Sequence, residues 1–146
     1  MNPQRVAQRG LVVAEAMSGH LKDMALQFNK RSRHNPEWAC ANVGRSMGCT
    51  VEGVLYRLAD CRQIERMDPF EGTPRYYSRE RFPVYTDQGV FHAWVYIANP
   101  SVIDNSARPL KWYLGQLLEG REFLSKEYVA YLEAVTCHVD DHSGWG

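Results

Sequence analysis

The feature that most constrains the fold is the segment 81–98, which has the pattern of a long β-hairpin. RFPVYT (81–86) and VFHAWVYIA (90–98) are rich in the β-branched and aromatic residues that strands favour, and the short segment DQG separates them. The second run carries apolar residues on both faces, which is typical of a strand in a barrel wall or a covered sheet. The chain is therefore expected to contain a sheet whose two faces are both largely covered.

Three further strands are predicted before this hairpin. They are DMALQFN (23–29), EWACANV (37–43) and TVEGVLYRL (50–58), and the polar segment KRSRHNP separates the first two. The third strand is apolar on both faces, as the second strand of the hairpin is. The basic segment KRSRH (30–34) is short, and it is expected to form a solvated turn.

Helical signals begin at the first residues of the chain. In MNPQRVAQRG, Asn2 is placed as an N-cap, Pro3 occupies the first helical position and Gly10 follows the last. The segment DCRQIERMD (60–68) predicts a second short helix, because its first and fourth residues have the spacing of a capping box. These two helices lie on either side of the first three predicted strands.

Two further helices are predicted after the hairpin. The first follows Pro109 and carries leucines on one face, and the second begins at Ser125, with Leu124 and Val129 placed as a hydrophobic staple. Helices at both ends of the chain and hairpin-rich strands between them indicate an α+β fold rather than a βαβ sheet.

Length and charge limit the classes of function. A chain of 146 residues is the size of one domain that can bury a core, and we assign residues 1–137 to this domain and 138–146 to a polar tail. The 17 basic and 17 acidic side chains balance, so no net field attracts nucleic acid or an anionic membrane. Apolar runs are too short to span a bilayer. We therefore expect a cytoplasmic protein without a nucleic-acid or membrane partner; its oligomeric state is left open.

No metal or other cofactor is predicted. The four cysteines are Cys40, Cys49, Cys61 and Cys137. They lack CxxC and zinc-ligand spacing, so reduced thiols are expected, although spacing alone leaves a Cys40–Cys49 disulfide open. His138 and His142 stand four apart with two aspartates between them, a spacing that could mimic a metal site. Because both lie in the polar tail, metal binding is the minor alternative.

The segment DPFEG (68–72), directly after the second predicted helix, presents a candidate catalytic carboxylate, Glu71. The following glycine permits backbone conformations closed to other residues and Pro74 stiffens the turn, so together they would hold the carboxylate in a fixed direction. Phe70 on one side and the pair Tyr76–Tyr77 on the other are expected to shield it partly from water, which suits proton transfer. The alternative is an ordinary solvated turn carboxylate.

Four aromatic residues have two possible roles. They are Trp94, Tyr96, Trp112 and Tyr113. Aromatic side chains at such positions most simply fill the core, but they also form the walls of small ligand pockets. The sequence pattern leaves both roles open for this set.

Several short motifs follow one another along nearly the whole chain. In order, they are NPQRVAQRG, FNKRS, ANV, VEGVLYRL, MDPFEGTPRYY, AWVYIA, WYLGQLLEG and LSKEYVAYLEAV. Each motif is short, so the specificity lies in their shared order and spacing, above all in V-x-G-x-L-Y about fifteen residues before E-G. In this order and spacing the chain resembles the gamma-glutamylcyclotransferase-like family.

The resemblance implies a fold, a site and a reaction. The fold would be a small mixed β-barrel or curved sheet flanked by helices, with a cavity at one end. Glu71, the glutamate of the E-G motif, would be the general acid/base, and Tyr113 and Tyr77 would contact the substrate, with Tyr76 as the alternative to Tyr77. A small gamma-glutamyl amine or amino acid would cyclise to 5-oxoproline and release the free amine, without a metal or organic cofactor. The runner-up is a catalytically deficient ligand-binding or interaction protein on the same fold.

The family pattern also includes a first strand and a Y-G-S-N loop immediately before a segment like MNPQR. In the family, that loop supplies backbone N–H groups and a tyrosine to the glutamyl end of the substrate. The resemblance therefore implies, as an expectation, that such a strand and loop precede Met1; the alternative is a protein that lacks this part of the pocket.

Overall fold

The computed structural model describes residues 2–139, which form an α+β fold. The helices of this part of the chain are α1 (Pro3–Gln8), α2 (Ile64–Glu71), α3 (Lys111–Leu118) and α4 (Lys126–Glu133). The strands are β1 (Val13–Arg31), β2 (Ala39–Leu58), β3 (Tyr77–Thr86) and β4 (Gly89–Ala98). Short 3-10 turns occur at Cys61–Gln63, Pro100–Val102 and Arg121–Phe123. None of the helices within residues 2–139 has the length and apolar character needed to cross a membrane.

The four strands form one curved antiparallel sheet in the order β2-β1-β3-β4. β1 and β2 pair along almost their whole length, with three irregularities in register of the kind that bend a sheet. β3 and β4 form the hairpin that the sequence predicts, with Thr86 opposite Gly89, and β3 joins β1 where His20 pairs with Tyr85. The predicted α+β class and the curved sheet flanked by helices are confirmed.

Two strands are longer than the sequence predicts. The segment 23–29 is the middle of β1, while the segments 37–43 and 50–58 belong to a single strand, β2. Between these two segments lie Gly44 and Gly48, and glycine weakens a strand because it has no side chain to pack. Gly48 has a φ of 80° at an irregularity in the ladder, and pairing with β1 continues on both sides of it. The partner strand therefore overrides the local break.

Helix α2 ends later than the sequence predicts. The prediction ended the helix at Asp68 and left Glu71 in a loop, whereas Glu71 is the last residue of α2 and Pro69 lies inside the helix. A proline removes one backbone donor, which favours a helix end at that position. Here the helix instead closes through Gly72, whose N–H donates to the Pro69 carbonyl at 3.2 Å, and through Thr73, whose N–H donates to the Asp68 carbonyl at 3.0 Å.

The predicted N-caps of α1 and α4 are confirmed. The Asn2 side chain accepts a hydrogen bond of 3.0 Å from the N–H of Gln4. The Ser125 hydroxyl accepts from the N–H of Tyr128 at 3.1 Å and donates to the Glu52 carboxylate of β2 at 2.7 Å. The start of α4 is thus attached to the sheet as well as capped.

The hydrophobic core lies between the sheet and the two C-terminal helices, α3 and α4. Its buried members are Leu21, Met24, Leu26, Val51, Val84, Leu114, Leu117, Tyr128 and Leu132. The leucine face predicted for α3 provides two of these side chains, Leu114 and Leu117. Packing of these helices on one face of the sheet also sets the position of the rest of α3, which carries two aromatic residues toward a cavity.

The remaining predictions concern the cysteines and the tail. None of the four cysteines, which lie within the described residues, is in a disulfide, so the Cys40–Cys49 bridge that spacing left open does not form. His138 donates its backbone N–H to the Pro109 carbonyl at 2.8 Å, and its Nε2 lies 3.6 Å from Glu37. His142 lies outside the described residues. The domain boundary at residue 137 stays a prediction.

Candidate active site

A cavity of about 250 Å³ lies where α1, α2 and α3 meet the ends of β1, β2 and β3. All three residues that the sequence singles out, Glu71, Tyr77 and Tyr113, line this cavity. They come from three different elements, α2, β3 and α3. The volume lies near the lower end of small-ligand sites, which are roughly 300–1,000 Å³, so the cavity suits a small ligand.

The backbone next to Glu71 requires a glycine. Gly72 has φ 69° and ψ 36°, the left-handed conformation that commonly ends a helix. A Cβ atom at this position would stand 2.5 Å from Cδ2 of the Tyr76 ring. The N–H of Tyr76 donates to the Gly72 carbonyl at 2.9 Å, which closes the turn. Both the left-handed conformation and the close approach of the Tyr76 ring therefore require that residue 72 has no side chain.

The segment around Glu71 is fastened to the β3–β4 hairpin on both sides. Before it, the Asp68 carboxylate accepts the Tyr96 hydroxyl at 2.6 Å and lies 3.4 Å from Nε of Arg79. Burial and this hydrogen bond raise the pKa of Tyr96, so its hydroxyl remains a donor. After it, the Asn99 amide donates hydrogen bonds of 2.7 and 3.0 Å to two carbonyls of the following loop. Glu71 is thus held by the sheet rather than by the helix alone.

The Glu71 carboxylate is partly buried beside an arginine. Its side chain is 24% exposed, and Oε1 lies 3.4 Å from Nη1 of Arg9, the C-cap residue of α1. The Arg9 guanidinium lies 5.1 Å from the centroid of the Phe70 ring, and Phe70 is itself 48% exposed. Sequence reasoning missed Arg9. The available signal was its spacing of four from Arg5, which places both arginines on one face of α1, and both line the cavity.

Tyr77 and Tyr113 both bind the backbone of Ala41. The Tyr77 hydroxyl donates to the Ala41 carbonyl at 2.7 Å, and the Tyr113 hydroxyl accepts the Ala41 N–H at 2.9 Å. Burial raises the pKa of each phenol well above its ordinary value, so both are neutral hydrogen-bonding groups rather than bases. Tyr76, the alternative to Tyr77, packs against the end of α2 instead.

A thiol in the same cavity is not a candidate nucleophile. Cys40 lines the cavity, and burial raises the pKa of its thiol to about 11. The nucleophile in cysteine chemistry is the thiolate, which is scarce at neutral pH when the pKa is this high. Glu71 is the single carboxylate among the described residues that line the cavity, and a carboxylate can accept and return a proton.

The cavity carries an excess of positive charge. Four cationic side chains line it, Arg5, Arg9, Lys30 and Arg33, whereas Glu71 is the single carboxylate among the lining residues of the described chain. The formal excess is three positive charges, and low-dielectric walls concentrate such a field. This arrangement favours an anionic ligand or a zwitterion with more than one carboxylate.

The basic segment 30–34 is only in part the solvated turn that the sequence predicts, because Arg31, Arg33 and His34 are exposed whereas Lys30 is buried. Lys30 is 4% exposed, and its ammonium lies over the rings of Tyr76 at 5.2 Å and Tyr77 at 5.4 Å. For Lys30 the prediction was wrong, because β1 continues to residue 31 and places Lys30 in the ladder opposite Cys40. Basic composition suggested water contact, but the position in the strand decides where the side chain lies.

Two of the four aromatic candidates take one of the roles that the sequence left open, and the other two take neither. Trp112 and Tyr113 line the cavity. Tyr96 supports α2 through Asp68, as described above. Trp94 is 42% exposed and so belongs neither to the core nor to the cavity.

Replacement of Lys30 by Met is expected to change the pH dependence of stability. Burial lowers the pKa of Lys30 from 10.5; Cys40 and Glu71 oppose this shift and Arg33 adds to it. Between the lowered pKa and 10.5 the folded chain binds fewer protons at this site than the unfolded chain does, so the contribution of Lys30 to stability rises with pH there. Below that window the Met variant should be the more stable protein, because a buried charge is removed.

Urea unfolding of both proteins from neutral pH to about 10.5 measures this difference. The difference in the free energy of unfolding between wild type and Lys30→Met should shrink as the pH approaches this upper limit. Lys22→Met is the matched control, since Lys22 is exposed and its ammonium also lies over a tyrosine ring, at 3.9 Å from the Tyr85 centroid. A gap between wild type and Lys30→Met that stays constant with pH would contradict the expectation.

Comparison with known proteins gives one family and several similar structures. A family model described as gamma-glutamyl cyclotransferase, AIG2-like, matches residues 11–115. Among solved structures, the chain is similar to a gamma-glutamyl cyclotransferase, with a TM-score of 0.80 and 20% identity over 99% of this chain and 86% of the other. The uncharacterized protein loc79017 from Homo sapiens gives a TM-score of 0.80 and 21% identity, over 97% and 85%. YkqA from Bacillus subtilis gives 0.77 and 17%, over 94% and 52%.

These structural likenesses concern the fold, because each identity is low. They confirm the fold that the sequence resemblance implies. A search of curated proteins gave no match.

Proposed function

Because the chain belongs to the AIG2-like gamma-glutamyl cyclotransferase family, we propose that it cyclises a small gamma-glutamyl amine or amino acid to 5-oxoproline and releases the free amine. The observation that carries the proposal is the Glu71 carboxylate, held at the end of α2 and directed into a cationic cavity. The proposed reaction needs no metal or organic cofactor. We also propose a cytoplasmic protein whose partner is this small molecule rather than nucleic acid or a membrane.

In the proposed reaction the Glu71 carboxylate takes up a proton in one step and returns it in the next. The α-ammonium group of the substrate first loses one proton to solvent, which leaves a neutral amine. As the amine nitrogen attacks the γ-carbonyl carbon, it gives a second proton to Glu71. The new C–N bond closes a five-membered ring, and the carbonyl oxygen takes the negative charge of a tetrahedral intermediate. As the original amide C–N bond breaks, the charge returns to the carbonyl and Glu71 gives its proton to the departing amine. Glu71 ends in the state in which it began.

The other cavity residues suit the remaining tasks of such a reaction. Ring closure is intramolecular, so holding the substrate in a folded conformation provides much of the acceleration. Tyr77 and Tyr113 form a wall that the Ala41 peptide fixes in place. The tetrahedral intermediate carries a negative charge, which the positive charges of Arg5 and Arg33 would stabilise from the cavity wall.

Product analysis tests the proposal. The protein is incubated with a panel of gamma-glutamyl amines and gamma-glutamyl amino acids, and 5-oxoproline is quantified against an enzyme-free control. We expect 5-oxoproline and the free amine in equal amounts from at least one compound. Saturable binding of a panel member without any product would support the alternative, a ligand-binding protein on the same fold. Neither product nor binding would contradict both.

A further inference from the structure

We propose that the ammonium group of Lys30 is the receptor for a carboxylate of the substrate inside the cavity that contains Glu71. This inference rests on the proposed function, and it deepens that function by naming the residue that recognises the charged part of the substrate. The family model and the similar structures show the family and the fold, and they do not assign this role.

The surroundings of Lys30 are unusual for a lysine. The residue is 4% exposed and lines the cavity, whereas lysine is almost never fully buried unless it is paired. Within residues 2–139, no carboxylate lies at ion-pair distance from its ammonium. Its ammonium lies over the faces of Tyr76 and Tyr77, which attract a cation but accept no conventional hydrogen bond. A lysine ammonium carries three donors and no acceptor, so these donors are open to a ligand or to water in the cavity.

The charged and titratable neighbours do not supply the missing anion. Glu71 acts on Lys30 electrostatically, but its carboxylate is in contact with Arg9 at 3.4 Å. Cys40, the cross-strand neighbour, keeps its proton because burial raises the pKa of its thiol to about 11. Arg33 adds a second positive charge from the turn after β1. An anion that enters the cavity would therefore meet the positive charges of Lys30 and Arg33, without a neighbouring anion already paired with Lys30.

A carboxylate ligand matches this environment in charge and geometry. Hydrogen bonds between an ammonium and a carboxylate are shorter and stronger than neutral ones, and the aromatic faces of Tyr76 and Tyr77 limit competing water. The carboxylate that binds Lys30 could be either of two groups of the substrate. Every such compound has the α-carboxylate beside the reacting amine, and a gamma-glutamyl amino acid has a second one on the departing group. Lys30 would bind either carboxylate through the same kind of hydrogen bond. Ligands that carry one or both carboxylates are therefore needed to tell the two alternatives apart.

Equilibrium binding to a protein that cannot consume its ligand tests the proposal. Glu71→Gln serves as the parent, and Lys30→Met, Lys30→Arg and Lys22→Met are each added to it. Calorimetry gives the Kd of gamma-glutamyl methylamide, which has only the α-carboxylate, and of gamma-glutamylglycine, which has both. Thermal melts confirm that each variant is folded.

We expect Lys30→Met to weaken binding roughly 10- to 100-fold, the usual worth of a hydrogen bond to a charged group, and Lys30→Arg to recover part of the loss. Equal weakening for both ligands assigns Lys30 to the α-carboxylate. Weakening for gamma-glutamylglycine alone assigns it to the departing amino acid. The proposal is overturned if Lys30→Met stays within twofold for both ligands, if Lys22→Met weakens them as much, or if neither ligand binds the parent at millimolar concentration.

This experiment separates the inference from the proposed function, because it measures binding without turnover. If the wild-type protein forms no 5-oxoproline but binding depends on Lys30, the receptor stands and the protein is a carboxylate-binding member of the family. If 5-oxoproline forms but binding does not depend on Lys30, the proposed cyclisation is supported and the proposed role of Lys30 is wrong.

Discussion

Replacing Glu71 by Gln is expected to lower the turnover of gamma-glutamyl substrates by roughly two to four powers of ten, the usual worth of general acid–base catalysis. The amide keeps the size of the side chain and can still accept a hydrogen bond from Arg9, but it cannot take the proton of the α-amino group. Folding should survive, because a partly exposed ion pair contributes about 1 kcal/mol or less.

Steady-state kinetics and a thermal melt of the Gln variant check this expectation. Glu65→Gln is the matched control, since Glu65 lies on the same helix, is exposed and does not line the cavity. Turnover of Glu71→Gln within threefold of wild type would remove Glu71 from the mechanism. Loss of folded structure in Glu71→Gln, with Glu65→Gln unaffected, would show instead that Glu71 has a structural role.

Replacing Gly72 by Ala is expected to reduce turnover by roughly 100-fold or more, because displacements of about 1 Å at a reacting group have effects of this size. The added methyl group would meet the Tyr76 ring at 2.5 Å, and a left-handed φ of 69° is strained for alanine. The backbone strain is relieved by moving the end of α2, which carries Glu71, and the contact is relieved by the same movement or by a shift of the Tyr76 ring. A loss of stability of about 1–3 kcal/mol should accompany the loss of turnover.

Gly10→Ala is the control that separates the effect of the backbone conformation from the effect of the contact with Tyr76. Gly10 has a φ of 81°, close to that of Gly72, but nothing lies within 4 Å of the position where its Cβ would stand. The Gly10 variant should therefore show only the cost of the backbone conformation, about 1 kcal/mol, with turnover largely kept. Equal effects of the two substitutions on turnover and stability would show that the contact with Tyr76 does not position Glu71.

Elements whose signals are local could be predicted from the sequence. The alternation and aromatic content of 81–98 identify the β3–β4 hairpin, and Asn2 and Ser125 mark the starts of α1 and α4 because an N-cap needs only its own side chain and the next turn. The long strands were harder. Gly44 and Gly48 interrupt the local pattern of β2, and only pairing with β1 shows that the strand continues.

The candidate site could be predicted only in part, because its residues converge through tertiary packing. Glu71 was found through the glycine that follows it and through the family resemblance, but Pro69 concealed that it ends a helix. Arg9 reaches Glu71 because α1 docks on α3, where the Asn2 amide donates to Gln116 at 2.9 Å. No local pattern contains that contact. Lys30 is buried because of its place in the β1–β2 ladder, which basic composition alone does not reveal.

The central claim is that the cavity catalyses an intramolecular cyclisation in which Glu71 moves the proton. Its most direct test is a reaction in water labelled with oxygen-18, with the products followed by mass spectrometry in wild type and Glu71→Gln. Cyclisation uses the substrate's own nitrogen, so we predict unlabelled 5-oxoproline as the first product of the wild-type protein and almost none from the variant. Glutamate that carries one labelled oxygen would reveal hydrolysis instead, and 5-oxoproline formed equally fast by both proteins would show that Glu71 is not the acid/base; either result would contradict the account.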